Sequence, residues 1–550
     1  MIKHCFKLDI KISTVYRNFI LFFILFFISC KSIPSKVQSP IIFKYNESAG
    51  ILSFDPAFAK DQSRIWFCNF IYNSLVQLDS SLQIIPSISK SWNISKDGKS
   101  YEFLLRNDIY FHSSDCFEDF FSNRLLNASD VIYSLNRLRD PALASPGAWV
   151  LSDVSGIYET SDSSVVINLN KPNPAFLGLL SMKYCSIIPF EQKKITDFFH
   201  SPIGTGPFQF QYHKNKVKLV LRRHNSYFEF EGDNQLPFLD AISISFIPDK
   251  QTAFLEFIRG NFDFLSGLDI SYKDELLDSN GLLRDKYASL LNYTKDDYLN
   301  TEYLGFLIDE NQDNFALRDV RVRQALNYSF NRKLMIRYLR NNVGTPALSG
   351  FIPKGLPGFS CQNGYDYNPN LALDLLKQSG YPNAEGIPQI TLSTTSSYLD
   401  LCEYIQHSWT EIGFKVNIDV SPPSTHRQKV SNGKLSLFRG SWIADYADAE
   451  NYLSLFYSKN HSPLGPNYTH FSDSEFDSLY VKSISLSNLK YRIPLYQKMD
   501  SILINKAVVI PLYYDNVLRF SHKNIIGLGT NPMNLLDLKR VIKMENTSPI

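Results

Sequence analysis

Ala507-Val-Val-Ile-Pro-Leu-Tyr-Tyr514 decides how this chain is to be folded on paper. It is a continuous apolar run of strand length, suited to a sheet covered on both faces. It comes more than 500 residues into the chain. A buried strand so late implies that the chain returns to a sheet begun earlier, so at least one domain is discontinuous.

Elements of both kinds precede it. Ile41–Tyr45 and Tyr101–Arg106 read as short strands. VRVRQALNYSFNRKLMIRYL, following Asp319, places Val322, Leu326, Phe330, Leu334 and Tyr338 on one helical stripe, with Asp319 as N-cap. A helix over Leu371–Ser379 starts after Pro369 and stops at Gly380. Another runs from Lys250 to Arg259, stops at Gly260, and leads into an extended FDFL segment. Mixed elements throughout predict an α/β or mixed α+β protein. No internal repeat or low-complexity block interrupts them.

The chain has 550 residues, 44% of them hydrophobic, enough for more than one core. Its 56 basic residues nearly balance 54 acidic ones, and no basic stripe suggests a nucleic-acid partner. The first 29 residues stand apart. Lys3, Lys7, Lys11 and Arg17 outweigh Asp9, and the apolar run Phe19–Ile28 is too short to span a bilayer. It reads as a signal-peptide core. Ser29-Cys30 after a branched apolar residue resembles a bacterial lipobox, with Cys30 the lipidated first residue of the mature chain and Phe27 standing where such sites usually carry Leu. An ordinary signal or an uncleaved anchor is the alternative. Residues 30–40 then form a polar tether. Cys68, Cys116, Cys185, Cys361 and Cys402 remain, an odd number without CxxC spacing, and read as small buried hydrophobes.

Signs of catalysis are few. HExxH, GxSxG and Walker A sequences are absent. His112 reads as a strand-end or turn residue. SPIGTGPFQF, Ser201–Phe210, reads as a tight turn entering a strand, since Pro207 removes a donor that a phosphate loop would need. Arg321 and Arg323 read as structural ion-pair residues. Trp442–Phe456, WIADYADAENYLSLF, is different: two aspartates and a glutamate lie among aromatics. Such carboxylates can be catalytic acids, metal ligands or anchors for a cation.

Several segments, in order, resemble family 5 extracellular solute-binding proteins, the oligopeptide- and dipeptide-binding receptors of ABC importers. They include SFDPAFAKD from Ser53, the W-x-x-S-x-D-G turn from Trp92, and the Y-x-F-x-L-R strand from Tyr101. ASDVIYSLNRLRDPALASPGAW, KPNPAFLGLLS, SPIGTGPF, DVRVRQALNYSFNR and YDYNPNLALDLLKQSGYP follow. WIADYADAENYLSLF and RIPLYQKMDSILINKAVVIPLYY complete the set, which spans nearly the whole mature chain.

The resemblance implies a three-lobed, type II periplasmic-binding-protein fold. Lobe I would comprise 41–72, 188–300 and 507–550, lobe II 73–187, and lobe III 301–506, after a signal peptide over 1–29. It implies a monomeric, lipid-anchored envelope receptor without cofactor, metal or catalytic residue. Peptides captured between the lobes would pass to a membrane permease and its ATPases. Asp445 falls on the position that pairs with the peptide ammonium. Asp448 and Glu450 fall to capping or structural hydrogen bonds. Arg439 matches a position that meets a ligand carboxylate, and a solvated or structural arginine is the alternative. The backbone of Ser441, Trp442 and Ile443 would bind the ligand backbone, and Trp149 would line the cleft from the other side. D-Y-A-D-A replaces the family's frequent D-Y-P-D-P. Alternatives are a non-peptide solute such as a nickel chelate or oligosaccharide, an exported peptide hydrolase, or a structural envelope lipoprotein.

Overall fold

The computed structural model describes residues 39–117, 124–194, 198, 201–269, 271–308, 315–361 and 364–545. The signal-peptide and Cys30 readings lie outside the described residues. Residues 39–41 carry no helix or strand, and the compact body begins at Ile42.

Ten strands of the main sheet are numbered in chain order: β1 (Ile42–Asn46), β2 (Phe208–Lys214), β3 (Lys218–Arg223), β4 (Ala241–Ser245), β5 (Phe264–Ser266), β6 (Leu291–Phe306), β7 (Ile390–Thr394), β8 (Val416–Val420), β9 (Leu437–Ile443) and β10 (Val509–His522). Their spatial order is β8-β7-β9-β6-β10-β5-β1-β4-β3-β2, with the short strand Thr345–Pro346 also paired to β10. Strand β10, which contains most of the AVVIPLYY run, inserts between β6 and β5. It joins strands built before residue 270 to strands built after 290, so the chain does return to its first sheet.

Proline inside a central strand removes a ladder donor and normally argues against that placement. Here the register slips beside it: Glu302 faces Tyr513, while Tyr303 faces Pro511. The irregularity accommodates the missing N–H. The Pro511 carbonyl is used by buried Arg332, whose Nε donates to it at 2.6 Å. A second slip, between Asp297 and Thr301, divides the β6–β10 ladder in two.

A separate four-stranded sheet orders Ser89–Ile94, Ser100–Leu105, Ser164–Leu169 and Val154–Ser161. The helix Ala128–Arg139 packs on it, and their apolar side chains form one core with Phe176 and Leu180. Two further cores flank β6 and β9, one around Trp409 and Leu326, the other around Tyr452 and Tyr496.

Local signals place most helix ends. Asn368 caps Pro369–Gln378, and Gly380 follows with φ +89°. Asp249 caps Lys250–Ile258, and Gly260 follows at φ +80°. The long stripe after Asp319 is corrected. It is two helices, Val320–Tyr328 and Arg332–Leu339, because Asn331 caps a new helix by accepting the Leu334 N–H at 3.1 Å. Val322, Leu326 and Phe330 are fully buried, whereas Leu334 and Tyr338 face solvent and Met335 and Ile336 turn inward.

The Ser201–Phe208 turn does lead into a strand. A Cβ on Gly204 would lie 2.0 Å from the Ile71 carbonyl oxygen, and one on Gly206 2.4 Å from the Ile71 carbonyl carbon. His112 is buried beside this turn, its Nε2 3.0 Å from the Gly206 carbonyl. Arg321 pairs with Asp319 at 2.6 Å, but Arg323 donates to the carbonyls of Leu317, Arg318, Lys506 and Ala507 instead of joining an ion pair. All five cysteines described are free thiols. Cys68, Cys185 and Cys402 are buried as expected, Cys116 is half-buried, and Cys361 is exposed.

Candidate ligand-binding site

The segment Trp442–Phe456 begins at the end of β9 and turns through a loop into the short helix Glu450–Leu453. Asn451, buried in the turn, organises it. Its Oδ1 accepts the Trp442 indole N–H at 2.9 Å and the Asp445 N–H at 3.1 Å, and its Nδ2 donates to the Asp445 carboxylate at 3.4 Å. No described Lys, Arg or His pairs with that carboxylate. Asp445 faces a cavity of about 500 Å³ bordered by Trp149, Tyr184, Trp442, Tyr446, Glu450 and Tyr480, among others. It is open to the water of the cavity, yet the surrounding protein raises its pKa by burial, with the Asn451 bond opposing the rise.

The two acids that follow are satisfied inside the protein. Asp448 accepts from Arg492 at 2.6 Å, from the Tyr496 hydroxyl at 2.8 Å and from the Glu450 N–H at 3.0 Å. Glu450 accepts the hydroxyls of Tyr446 and Tyr480. Both are the structural hydrogen-bond partners expected of them. Asp445 alone of the three lacks a charged or hydroxyl partner.

Trp149 is brought to Asp445 from a segment almost 300 residues away. It is 44% exposed, lines the same cavity as Trp442, and its ring centre lies 6.4 Å from that of Tyr446. Tyr446 in turn belongs to the core of the four-stranded-sheet region. The cavity therefore forms where that region meets the β9 loop.

Arg439, Ser441 and Ile443 lie along β9, away from the lining of this cavity. Arg439 is ion-paired with Glu302 and lies over the Tyr398 ring, 3.2 Å from its centre. Of the two readings of this arginine, its contacts match the structural one. The Ser441 hydroxyl donates to Glu302 at 2.7 Å and accepts from Asn300 at 2.9 Å. Ile443 is exposed.

The backbone of this run has one open edge. On one side β9 pairs with β6 from Leu437 to Ile443. On the other, β7 reaches only Leu437 and Phe438. The Ala444 N–H donates to Leu299, on β6. Strand alternation then turns the N–H and C=O groups of Ser441 and Ile443 away from β6. The Arg439 carbonyl, in phase with them, meets His426 Nε2 at 2.8 Å on that far side.

A second cavity of about 690 Å³ is lined by Lys250, Asp269 and Lys273 on one side and Ser397, Tyr398 and Tyr513 on the other. The Tyr513 hydroxyl is buried without a partner. Sequence reasoning did not single out Tyr184, Tyr480, Asn451 or Tyr513. Asn451 lies inside the suspected acidic segment and Tyr513 inside the apolar run Ala507–Tyr514, while Tyr184 and Tyr480 carry no local signal beyond being aromatic.

The architecture, a long mixed sheet with a late returning strand and a cavity over its strand ends, defines a type II periplasmic binding protein. The model of the bacterial extracellular solute-binding proteins, family 5, matches residues 83–463, and the chain belongs to that family. It is 29% identical over 505 residues to heme-binding protein A of Haemophilus influenzae, covering 87% of this chain and 88% of that one. It is 24% identical to the dipeptide-binding protein of Escherichia coli, covering 84% and 87%. Among solved structures, a periplasmic binding protein associated with an ABC transporter from Helicobacter pylori, in complex with the peptide STSA, superposes with a TM-score of 0.74. That match has 25% identity and covers 92% of this chain and 98% of that one.

Proposed function

We infer that the chain is the substrate-binding component of an ABC importer and that it captures short peptides. The observation that carries this reading is Asp445: a carboxylate with no cation partner among the described residues, facing a cavity that Trp149, Trp442 and three tyrosines border, at the end of a strand with an open backbone edge. A buried ammonium requires such a partner, and stripping one member from a buried pair costs about 3–5 kcal/mol. The open edge of Ser441–Ile443 suits strand addition, in which main-chain bonds supply affinity irrespective of side chain. The names of the dipeptide-binding relative and the peptide-bound neighbour support the same cargo.

In this reading Asp445 holds the ligand ammonium and Trp149 and Trp442 wall the site. Ser441 and Ile443 offer backbone groups, and Arg439 acts through Glu302 to hold β9 against β6. Lobe I comprises 41–72, 188–300 and 507–550, lobe II 73–187 and lobe III 301–506. The slip between Asp297 and Thr301 in the long β6–β10 ladder is where the lobes hinge. Ligand bridging both lobes shifts the population toward the closed form, which docks on the permease. Residues 1–29 direct export, and Cys30 carries the lipid that tethers a monomer to the membrane. The protein captures its ligand without chemistry.

Native mass spectrometry of the gently purified full chain tests this, with Asp445→Ala alongside. Short peptides bound to the wild type and lost from the variant are expected. Peptides retained by both would remove Asp445 as the anchor. A metal chelate or sugar would replace the peptide reading, and cleavage of an added peptide mixture would make the protein a hydrolase.

A further inference from the structure

The cavity beside Asp445 is far larger than an ammonium group, and five aromatic side chains stand in its wall. Trp149, Tyr184, Trp442, Tyr446 and Tyr480 border a space of about 500 Å³. Sites that hold small molecules occupy about 300–1,000 Å³ and are lined mainly by apolar and aromatic groups.

The charges on the wall are nearly all spent. Asp153 pairs with Lys171 at 3.3 Å, and Glu450 is occupied by two tyrosine hydroxyls. Asp445 is left as the one wall carboxylate that a guest cation can reach without displacing a protein partner. A guest therefore finds one carboxylate free to take a positive charge, and beside it a wall in which aromatic rings stand with the polar side chains of Ser152, Asn173, Ser454 and Asn460. Among the large apolar residues of this wall, Trp149 is the one that stays exposed, at 44%.

Resting on the peptide reading above, we propose that this cavity receives the side chain of the ligand's first residue and selects a bulky aromatic one, with Trp149 as the specificity-determining residue. A ring placed here covers Trp149 and Trp442 while its own α-ammonium meets Asp445. An alanine side chain leaves most of that surface wet. An acidic side chain brings a second carboxylate beside Asp445, while Lys171 already pairs with Asp153.

The test is titration calorimetry of the full chain with the dipeptides Trp-Ala, Phe-Ala, Ala-Ala and Asp-Ala, and with N-acetyl-Trp-Ala. Trp-Ala and Phe-Ala are expected to bind about tenfold or more tighter than Ala-Ala, with Asp-Ala weaker still. Acetylation should abolish binding. In Trp149→Ala the ratio between Trp-Ala and Ala-Ala should collapse toward one, and Trp149→Phe should restore most of it. Circular dichroism would verify that both variants are folded. A wild-type ratio near one, or a ratio that survives Trp149→Ala, overturns the aromatic selection while leaving peptide capture in place. Failure of every dipeptide to bind the wild type overturns the peptide reading and this inference with it.

Discussion

Arg439 on β9 and Glu302 on β6 form a buried ion pair across adjacent strands, with Glu302 standing opposite Ser441 in the ladder. Their side chains are 12% and 4% exposed. Burial alone would lower the arginine's pKa, and Glu302, together with the Tyr398 and Tyr513 side chains, more than reverses this. Ser441 donates to the same carboxylate at 2.7 Å, and Asn300 at 3.4 Å. The arrangement clamps the strand whose end carries Asp445.

Removing one side of this clamp leaves the other charge buried. Glu302→Gln should cost about 3–5 kcal/mol of stability. Urea denaturation of the variant against the wild type measures it. A loss below about 1 kcal/mol, the range of exposed pairs, would mean that Arg439 is solvated in solution.

Asp445 behaves in the opposite way. It is a carboxylate that faces a cavity without a counter-charge among the described residues, so Asp445→Asn should leave the melting temperature of the ligand-free protein unchanged or raised. Dipeptide affinity should fall by about 2–5 kcal/mol, as when one partner of a buried charged pair is cut. A variant that melts well below the wild type would identify Asp445 as a structural residue.

Acid should stabilise part of this fold. Asp500 is buried, accepts the Phe351 N–H at 2.7 Å and has no cation partner; burial pushes its carboxyl up to about 7, with backbone bonds opposing. Glu47 is pushed to about 7 by burial, with the Asp61 charge adding and an Ala49 bond opposing. Each holds a proton in the folded state that the unfolded chain releases near pH 4. The folded state thus binds more protons between about pH 4 and 7, and stability contributed by protonation falls as pH rises through that window. Denaturation midpoints across it should show a negative slope contribution that Asp500→Asn reduces. An identical slope in the variant would refute the assignment.

The Ser201–Phe208 turn should tolerate no side chain at its first glycine. A Cβ on Gly204 would meet the Ile71 oxygen at 2.0 Å and Tyr72 Cδ1 at 2.6 Å, both fixed at the end of the helix Gln62–Ile71. Gly204→Ala should destabilise by about 1–3 kcal/mol or more through overpacking. Calorimetric melting reads this directly, and Gly529→Ala, where a Cβ meets nothing within 4 Å, is the control.

Signals that act over a few residues were readable in the sequence. Asp319, Gly260 and Gly380 mark helix ends because capping is a contest for backbone groups within one turn. The apolar run at Ala507–Tyr514 implied a covered strand, and with it a chain that returns to its first sheet. The acids after Trp442 were sorted largely by their place in a motif. The break at Asn331 was missed, because a stripe of period 3.6 continues across a three-residue interruption while the cap that restarts the helix competes silently with it. Only the tertiary structure decided what each charge faces. Nothing near Arg439 in the sequence points to Glu302, and nothing near Asp445 points to Trp149. Such pairings depend on which strands become neighbours and which loops meet over their ends. Periodicity and composition fix what a segment buries, but the partner it meets there is set by the packing of the whole chain.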